Sequence, residues 1–356
     1  MYAQMVLGVG IEKGQVMNDG LGVLPDKEIE GLFGSGAIRA HAERDDDQIQ
    51  PASLDLRLAE DAYRIRASFL PGRSRSVADV LQEPGLQMHR VDLSGGAVLE
   101  TGCVYLVPLQ ESLKLPAGIS GRANPKSSTG RIDVFTRVVT NRGRAFDDVP
   151  VGYSGPLYLE ISPRTFSILA RAGDRLAQLR LRRGKVGDVH EKTVSIDLES
   201  LDNGPVGWRA KRHAGVVDLR KIGKHDPAEF WEPIRPHRGR IVLNPDEFYI
   251  LASQETVKVP ALQAAEMAPI APELGEFRAH YAGFFDPGFG TNKGGSRAVL
   301  EVRSRDVPFI LEHGQPVAKL IYEPMAAKPK GLYGTVGSHY QGQGLKLSKH
   351  FSEYSA

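Results

Sequence analysis

A single cysteine, Cys103, stands in a chain of 356 residues. One thiol excludes an internal disulfide framework and any zinc site built from cysteines. No apolar run reaches the length of a membrane span. The opening stretch, MYAQMVLGVGIEKGQ, lacks the basic segment and long apolar core of a secretion signal. A cytoplasmic protein without a membrane partner is therefore the expectation. An excess of one charge is missing too: the formal net charge is +2. Composition thus gives no reason to expect a nucleic-acid partner, and Arg180, Arg182, Arg183 and Lys185 read as a solvated face.

What the chain does have is glycine and proline, 39 and 23 of them, which implies many turns and short strands. Hydrophobic content of 41% and charged content of 25% are those of an ordinary globular protein. The length suffices for two domains with their own cores. Residues 26–42 (DKEIEGLFGSGAIRAHA) have the apolar spacing of one amphipathic helix, with Asp26 as its cap. Gln48 to Leu58 alternates like a strand, and a loosely ordered connection is expected over 70–95.

An internal repeat then emerges. VLETGCVYLVPLQESLKLPAGISGRANP from Val98 aligns without a gap with VLNPDEFYILASQETVKVPALQAAEMAP from Val242, an offset of 144 (242 minus 98). Tyr105 matches Tyr249, Lys114 matches Lys258 and Pro116 matches Pro260. Further on, Leu159-Glu160 pairs with Leu300-Glu301 and Gly173 with Gly314, at an offset of 141 (301 minus 160). Asp55-Leu56-Arg57 has a weaker echo in Asp218-Leu219-Arg220. These matches predict two copies of one β domain, 1–203 and 204–356, joined near 200–212.

The stretch from Asn124 to Glu160 carries the most chemistry. Lys126, Ser127, Ser128 and Arg131 share one short turn with Gly130. Hydroxyls, backbone N–H groups and cations so grouped suit a poly-anion. A strand over Val134 to Thr140 follows, then a loop holding Asn141 and Arg142, then a second strand with Glu160 set among apolar neighbours. A carboxylate inside such a strand is unusual, because ionised groups are seldom buried without a reason. The two copies differ. At the place of the serine loop the second has Ala271 to Glu276, with two acids and no hydroxyl, whereas it alone holds Asp286-Pro287-Gly288-Phe289-Gly290. Either one copy is a degenerate scaffold or the two contribute complementary parts to shared sites. The glycine-rich tail, 331–351, interleaves Tyr340, Gln341, Gln343 and Lys346. It reads as a mobile terminus or as a lid over a bound anion.

Taken together, SSTGR, the Leu-Glu strand after a Gly-Tyr-Ser-Gly turn, QPASLDLRL, DPGFG, HGQPVAKL and the Tyr-Gln tail resemble the dCTP deaminases, members of the dUTPase-like superfamily. The likeness covers most of residues 26–351 and points to the longer form of that family. It implies a mainly β fold of two tandem dUTPase-like distorted β-barrels, jelly-roll-like, with a few short helices. It also implies self-association as a trimer, sites between neighbouring domains, Mg²⁺ carried on the triphosphate and no zinc. The implied reaction is hydrolysis of the 4-amino group of dCTP to give dUTP and ammonia.

Zinc deaminases carry H-x-E followed by P-C-x-x-C. His41-Ala42-Glu43 supplies the first half, but no cysteine pair follows. A metal-free route needs a carboxylate to take a proton from water and pass it on. Glu160 or Glu301 matches the family's catalytic glutamate. An ordinary glutamate, with a pKa of about 4.3, is a weak base, and partial burial raises that value. Ser127, Ser128 and Arg131 match the family's phosphate ligands, and Arg142 its active-site arginine. Asn141 stands where shorter members usually have histidine. In the second copy Asp286 is placed to accept from the deoxyribose 3′-hydroxyl, and the backbone at Ala282 to read the cytosine edge. Two rival readings remain: a dUTP diphosphatase or bifunctional enzyme acting on the same fold, and a non-catalytic nucleotide-binding protein.

Overall fold

The computed structural model describes residues 20–185, 189–199, 204–270, 277–280, 283–292, 294–304, 306–335 and 340–354. The fold is mainly β, and its strands form small sheets. Among the described residues the helices are short: Asp26–Gly34, Val77–Leu81, Ser127–Gly130 and Pro227–Phe230. None is long and apolar enough to cross a membrane.

The expected helix over 26–42 stops early. It spans Asp26–Gly34, packs Ile29 and Leu32 into the core, and is preceded by Pro25 rather than capped by Asp26. Gly36, at φ +72°, turns the chain. Ile38–Ala40 then pairs with Glu111–Leu113 of the strand Val104–Lys114, so sheet pairing overrides helical spacing there. Asp26 instead accepts from the Lys330 and Gly331 amides, 2.9 and 3.0 Å away. The run from Gln48 to Leu58 divides into Ile49–Gln50 and Ser53–Arg57 around a turn at Pro51, and Ser53–Arg57 is buried along its whole length. The connection over 70–95 is ordered. It holds Val77–Leu81, with a Ser76–Asp79 capping box, and the strand Gln87–Asp92 paired with Asp61–Ile65.

Strand registers recur at the offsets read from the sequence. Tyr105 faces Ile161 between Val104–Lys114 and Ser154–Pro163, and Tyr249 faces Val302 between Tyr249–Val257 and Ser296–Ser304. Ala177 faces Pro125, and Ala318 faces Pro269. Ile168 faces Leu99, and Phe309 faces Leu243. The Tyr105 hydroxyl accepts from the Glu100 amide and the Tyr249 hydroxyl from the Asn244 amide, at 3.1 and 2.8 Å. One expected correspondence fails. Asp55 faces Gln178 across the first sheet, and at the matching place in the second Lys319 faces Thr193. The strand His190–Ser195 therefore occupies the place of Ser53–Arg57, while Val217–Asp218 pairs with Ile168–Ala170 of the first half. The expected junction near 200–212 thus lies after a strand that already belongs to the second half's sheet.

The halves meet along strand faces. Arg303 bonds Asp133 and the Thr165 hydroxyl, and Arg182 bonds Glu323 at 2.6 Å. Arg180, expected on a solvated face, is wholly buried between the halves. Its guanidinium lies 4.0 Å from the Phe284 ring centroid and donates to the Ala265 carbonyl at 3.0 Å and the Phe285 carbonyl at 3.3 Å. A buried guanidinium needs such partners, because an unpaired one costs several kcal/mol, roughly, in lost hydration.

Candidate active site

A cavity of about 760 Å³ opens between the two halves. Its floor begins with the loop after Ile119–Pro125. Pro125 ends that strand, Lys126 is extended, and Ser127–Gly130 makes a single helical turn. The turn is fixed from beneath: the Leu176 carbonyl accepts from the Lys126 amide and from the Thr129 hydroxyl, both at 2.9 Å. Lys126, Ser127, Ser128, Thr129 and Arg131 all line the cavity. The Lys126 ammonium is paired with Asp55.

Arg131 reaches from this loop to the second half. It donates to the Lys346 carbonyl at 2.9 Å and to Gln343 Oε1 at 3.0 Å, and its guanidinium lies 4.0 Å from the Tyr340 ring centroid. Its buried Nε has no hydrogen bond among the described residues and sits 4.0 Å from Glu301 Oε1. Glu301 projects from Ser296–Ser304 into the cavity and is 5% exposed. Burial pushes its carboxyl up to about 8, against the opposing pull of Arg131. A carboxyl held there is poised to take and return a proton near neutral pH.

Asp286 lines the same cavity from the DPGFG turn. Burial raises its pKa while the Arg180 guanidinium, 3.5 Å away, lowers it, and Oδ1 has no hydrogen bond. The turn needs glycine at Gly290: φ is +65°, and a Cβ there would stand 1.9 Å from the Val257 carbonyl oxygen. Phe284, Phe285, Phe289 and Tyr333 give this end of the cavity aromatic walls.

The tail is built into the site rather than dangling from it. Tyr340 and Gln343 line the cavity. Gln341 does not; it receives the Gly290 amide at 3.0 Å and donates to the Gly288 carbonyl at 3.1 Å, tying the tail to the DPGFG turn. Lys346 contributes its carbonyl to Arg131. The Ser348 hydroxyl donates to the Ser128 carbonyl at 2.8 Å and lies 2.9 Å from His350 Nδ1. Burial, with Lys349 adjacent, pushes the His350 imidazole down to about 3, so the ring stays neutral.

The remaining expected residues lie elsewhere. Glu160 is buried away from the cavity, with Arg137 Nε at 2.9 Å, and that guanidinium also bonds the Ser68 hydroxyl at 2.7 Å and lies 3.6 Å from the Phe146 ring centroid. Asn141 spends its side-chain oxygen on the Val77 amide at 2.9 Å. Arg142 sits in a turn at φ +59°, its amide on the Arg75 carbonyl at 3.0 Å. The segment carrying Ser68, Arg75 and Val77 thus meets Arg137, the Arg142 backbone and the Asn141 side chain. Ala282 lies outside the described residues. Lys349 of the tail also lines the cavity, as do Asp55 and Arg175, to which the sequence assigned no place in the site. Asp55 carries the same signal as Glu160, an acid inside an apolar strand.

The family model for the "2'-deoxycytidine 5'-triphosphate deaminase (DCD) N-terminal domain" matches residues 20–185, and that for the corresponding C-terminal domain matches 170–351. A "dCTP deaminase, dUMP-forming" of Beutenbergia cavernae is 29% identical over 160 residues, 44% of this chain and 77% of that protein. A "dCTP deaminase" of Actinobacillus succinogenes is 28% identical over 142 residues, 38% of this chain and 70% of that one. The crystal structure of a 2'-deoxycytidine 5'-triphosphate deaminase from Agrobacterium tumefaciens superposes with a TM-score of 0.84 at 54% identity, covering 87% of this chain and all of that one.

Proposed function

The chain belongs to the 2'-deoxycytidine 5'-triphosphate deaminase family, and from that premise we propose that it is an enzyme converting dCTP and water to dUTP and ammonia at the cavity between its halves. The observation carrying this reading is Glu301: a buried carboxyl with a pKa of about 8, facing a serine-arginine loop from the other half. The chain reads as two copies of one dUTPase-like β unit, supported by the recurring registers, and each copy supplies what the other lacks.

In this reading the substrate enters as its Mg²⁺ complex. Ser127, Ser128, Lys126 and Arg131 hold the phosphates by charge-assisted hydrogen bonds. The Glu301 carboxylate takes a proton from water as the oxygen attacks C4 of cytosine. It returns that proton to N3; the amine then leaves as ammonia, its last proton coming from the C4 hydroxyl as the carbonyl forms. Arg131, its Nε 4.0 Å from Glu301 Oε1, steadies the carboxylate as it forms. Asp286 takes the sugar hydroxyl, and Tyr340 and Gln343 close the site. The reading places the reaction in the cytoplasm and the chains in trimers.

A second product is favoured by one feature. Asp286 keeps a buried oxygen without a hydrogen bond in the cavity, and the Beutenbergia cavernae relative is named dUMP-forming. An aspartate-held water attacking the α-phosphate would carry the reaction on to dUMP and diphosphate. Product analysis with dCTP and Mg²⁺, with and without a zinc chelator, separates these cases. Chelator-resistant ammonia release with dUTP as product is expected. Appearance of dUMP and diphosphate makes the enzyme bifunctional, and hydrolysis of dUTP without action on dCTP reassigns it as a diphosphatase. Light scattering tests the trimer.

A further inference from the structure

The cavity mouth carries a cation that the serine loop does not account for. Arg175 opens the strand Arg175–Arg183, and its register against Ser53–Arg57 shifts between Arg175 and Ala177. Such a bulge re-aims the side chain, here into the cavity that Arg175 lines. The next residue, Leu176, is the one whose carbonyl anchors the phosphate loop at the Lys126 amide and the Thr129 hydroxyl. Arg175 and Lys126 also converge on one oxygen, Asp55 Oδ2, which Arg175 Nη1 approaches to 3.5 Å. Arg175 therefore stands beside Lys126 at the loop, and the two side chains are about equally exposed, 22% and 21%.

Its other partners are weak ones. Nη2 bonds Asp47 Oδ1 at 2.7 Å and approaches Asp45 Oδ2 to 3.4 Å, and Nη1 bonds the Asp47 carbonyl at 3.2 Å. Asp47 is 70% exposed and Asp45 43%. Ion pairs with exposed carboxylates contribute little net stability, because water and salt compete for both charges. A phosphate group offers a guanidinium two parallel charge-assisted bonds instead. Two other cations in the lining have firmer partners: Arg57 pairs with the fully buried Glu111 at 2.9 Å, and Arg220 with the largely buried Asp174 at 2.9 Å. Of these three arginines, Arg175 is the one whose closest partners, on Asp47 and Asp45, an incoming anion displaces most easily.

We infer that Arg175 reads the terminal phosphate of the bound triphosphate, and that Asp45 and Asp47 hold it as a displaceable latch until that phosphate arrives. This rests on the reading of the cavity as the dCTP site. Arg175 then determines which phosphate-chain length is accepted and takes no part in the chemistry at the base.

Calorimetric titration of dCTP, dCDP and dCMP, each with Mg²⁺, into the wild type and the R175A and D47N variants tests it, with wild-type turnover of dCTP followed in parallel. Arg175→Ala is expected to weaken dCTP about tenfold or more and dCMP less than about twofold, the size of one lost charge-assisted contact. Asp47→Asn, at an exposed position that does not endanger folding, is expected to tighten dCTP about two- to threefold while leaving dCMP alone. Equal losses for dCTP and dCMP in R175A, or weaker dCTP binding in D47N, would overturn the inference. Absence of wild-type turnover would instead strike the proposed reaction, and the chain-length comparison would still decide the role of Arg175.

Discussion

Glu160 and Glu301 occupy matching places in matching strands, yet they are chemically different groups. Glu160 faces Arg137 across the strand pair and is bonded by that guanidinium, whose other side is taken by Ser68 and Phe146. Among the described residues no cation lies so close to Glu301: Arg131 stays 4.0 Å away because Gln343, the Lys346 carbonyl and the Tyr340 ring hold it. The Glu160 carboxylate is thus taken up by its guanidinium partner. An unpaired one in a dry place binds the proton tightly and releases it only near pH 8. The same residue in the same register is thus a strut in one half and, in the proposed reaction, the proton carrier in the other.

The sharpest way to break this comparison is to neutralise each glutamate. Glu301→Gln should lower kcat by about a thousandfold, within the range that general acid–base groups contribute, with dCTP affinity kept. Glu160→Gln should leave kcat within about threefold; a collapse of turnover there would reverse the assignment. Ser127→Ala combined with Arg131→Ala should raise KM for dCTP by about a hundredfold, since two contacts to phosphate are lost. An unchanged KM would remove the loop from the site.

The pH dependence sharpens the contrast further. Above about pH 8 Glu301 is a carboxylate, so kcat/KM in the free enzyme should rise with pH and level off near 8. Stability runs the other way. A folded-state pKa raised above the unfolded value near 4.5 means that the folded chain holds the extra proton, so its contribution fades as pH rises from 4.5 through 8. Melting curves of wild type and Glu301→Gln should therefore separate progressively between about pH 4.5 and 8, with the variant the steadier of the two. Glu160→Gln should cost roughly 1–3 kcal/mol at pH 7, less than a wholly buried pair because Arg137 is partly exposed. The smallest effect concerns His350. Its folded pKa, near 3, lies below the unfolded 6.5, so stability should be lost as pH falls from 6.5 toward 3. His350→Asn should flatten that slope in a Tm-against-pH series.

Much of the scaffold was legible because its signals are local. The strand Val134–Thr140 follows from its β-branched residues, and the turn at Ser127–Gly130 from Pro125 and the hydroxyls. The ungapped offsets of 144 and 141 carried over into strand registers, since a one-residue slip would turn every apolar side chain outward. What the sequence could not tell was which glutamate faces the cavity. That depends on Arg137 reaching Glu160 across one strand pair and on the tail holding Arg131 short of Glu301, contacts between residues far apart in the chain. Ile38–Ala40 was misread for the same reason: its helical spacing is intact, but a distant strand edge outcompetes it. Arg175 was silent because a bulge, not a motif, aims it.

Arg131 is joined to Gln343 and to the Lys346 carbonyl, 212 and 215 residues further along the same chain. A cavity closed in this way carries its complementary halves on one covalent thread, at a local concentration that no dilution lowers. Specific activity should then be independent of protein concentration. Two chains damaged in opposite halves, one at Ser127 and Arg131 and the other at Glu301, would each remain inactive when mixed, because neither needs or lends a neighbour's half.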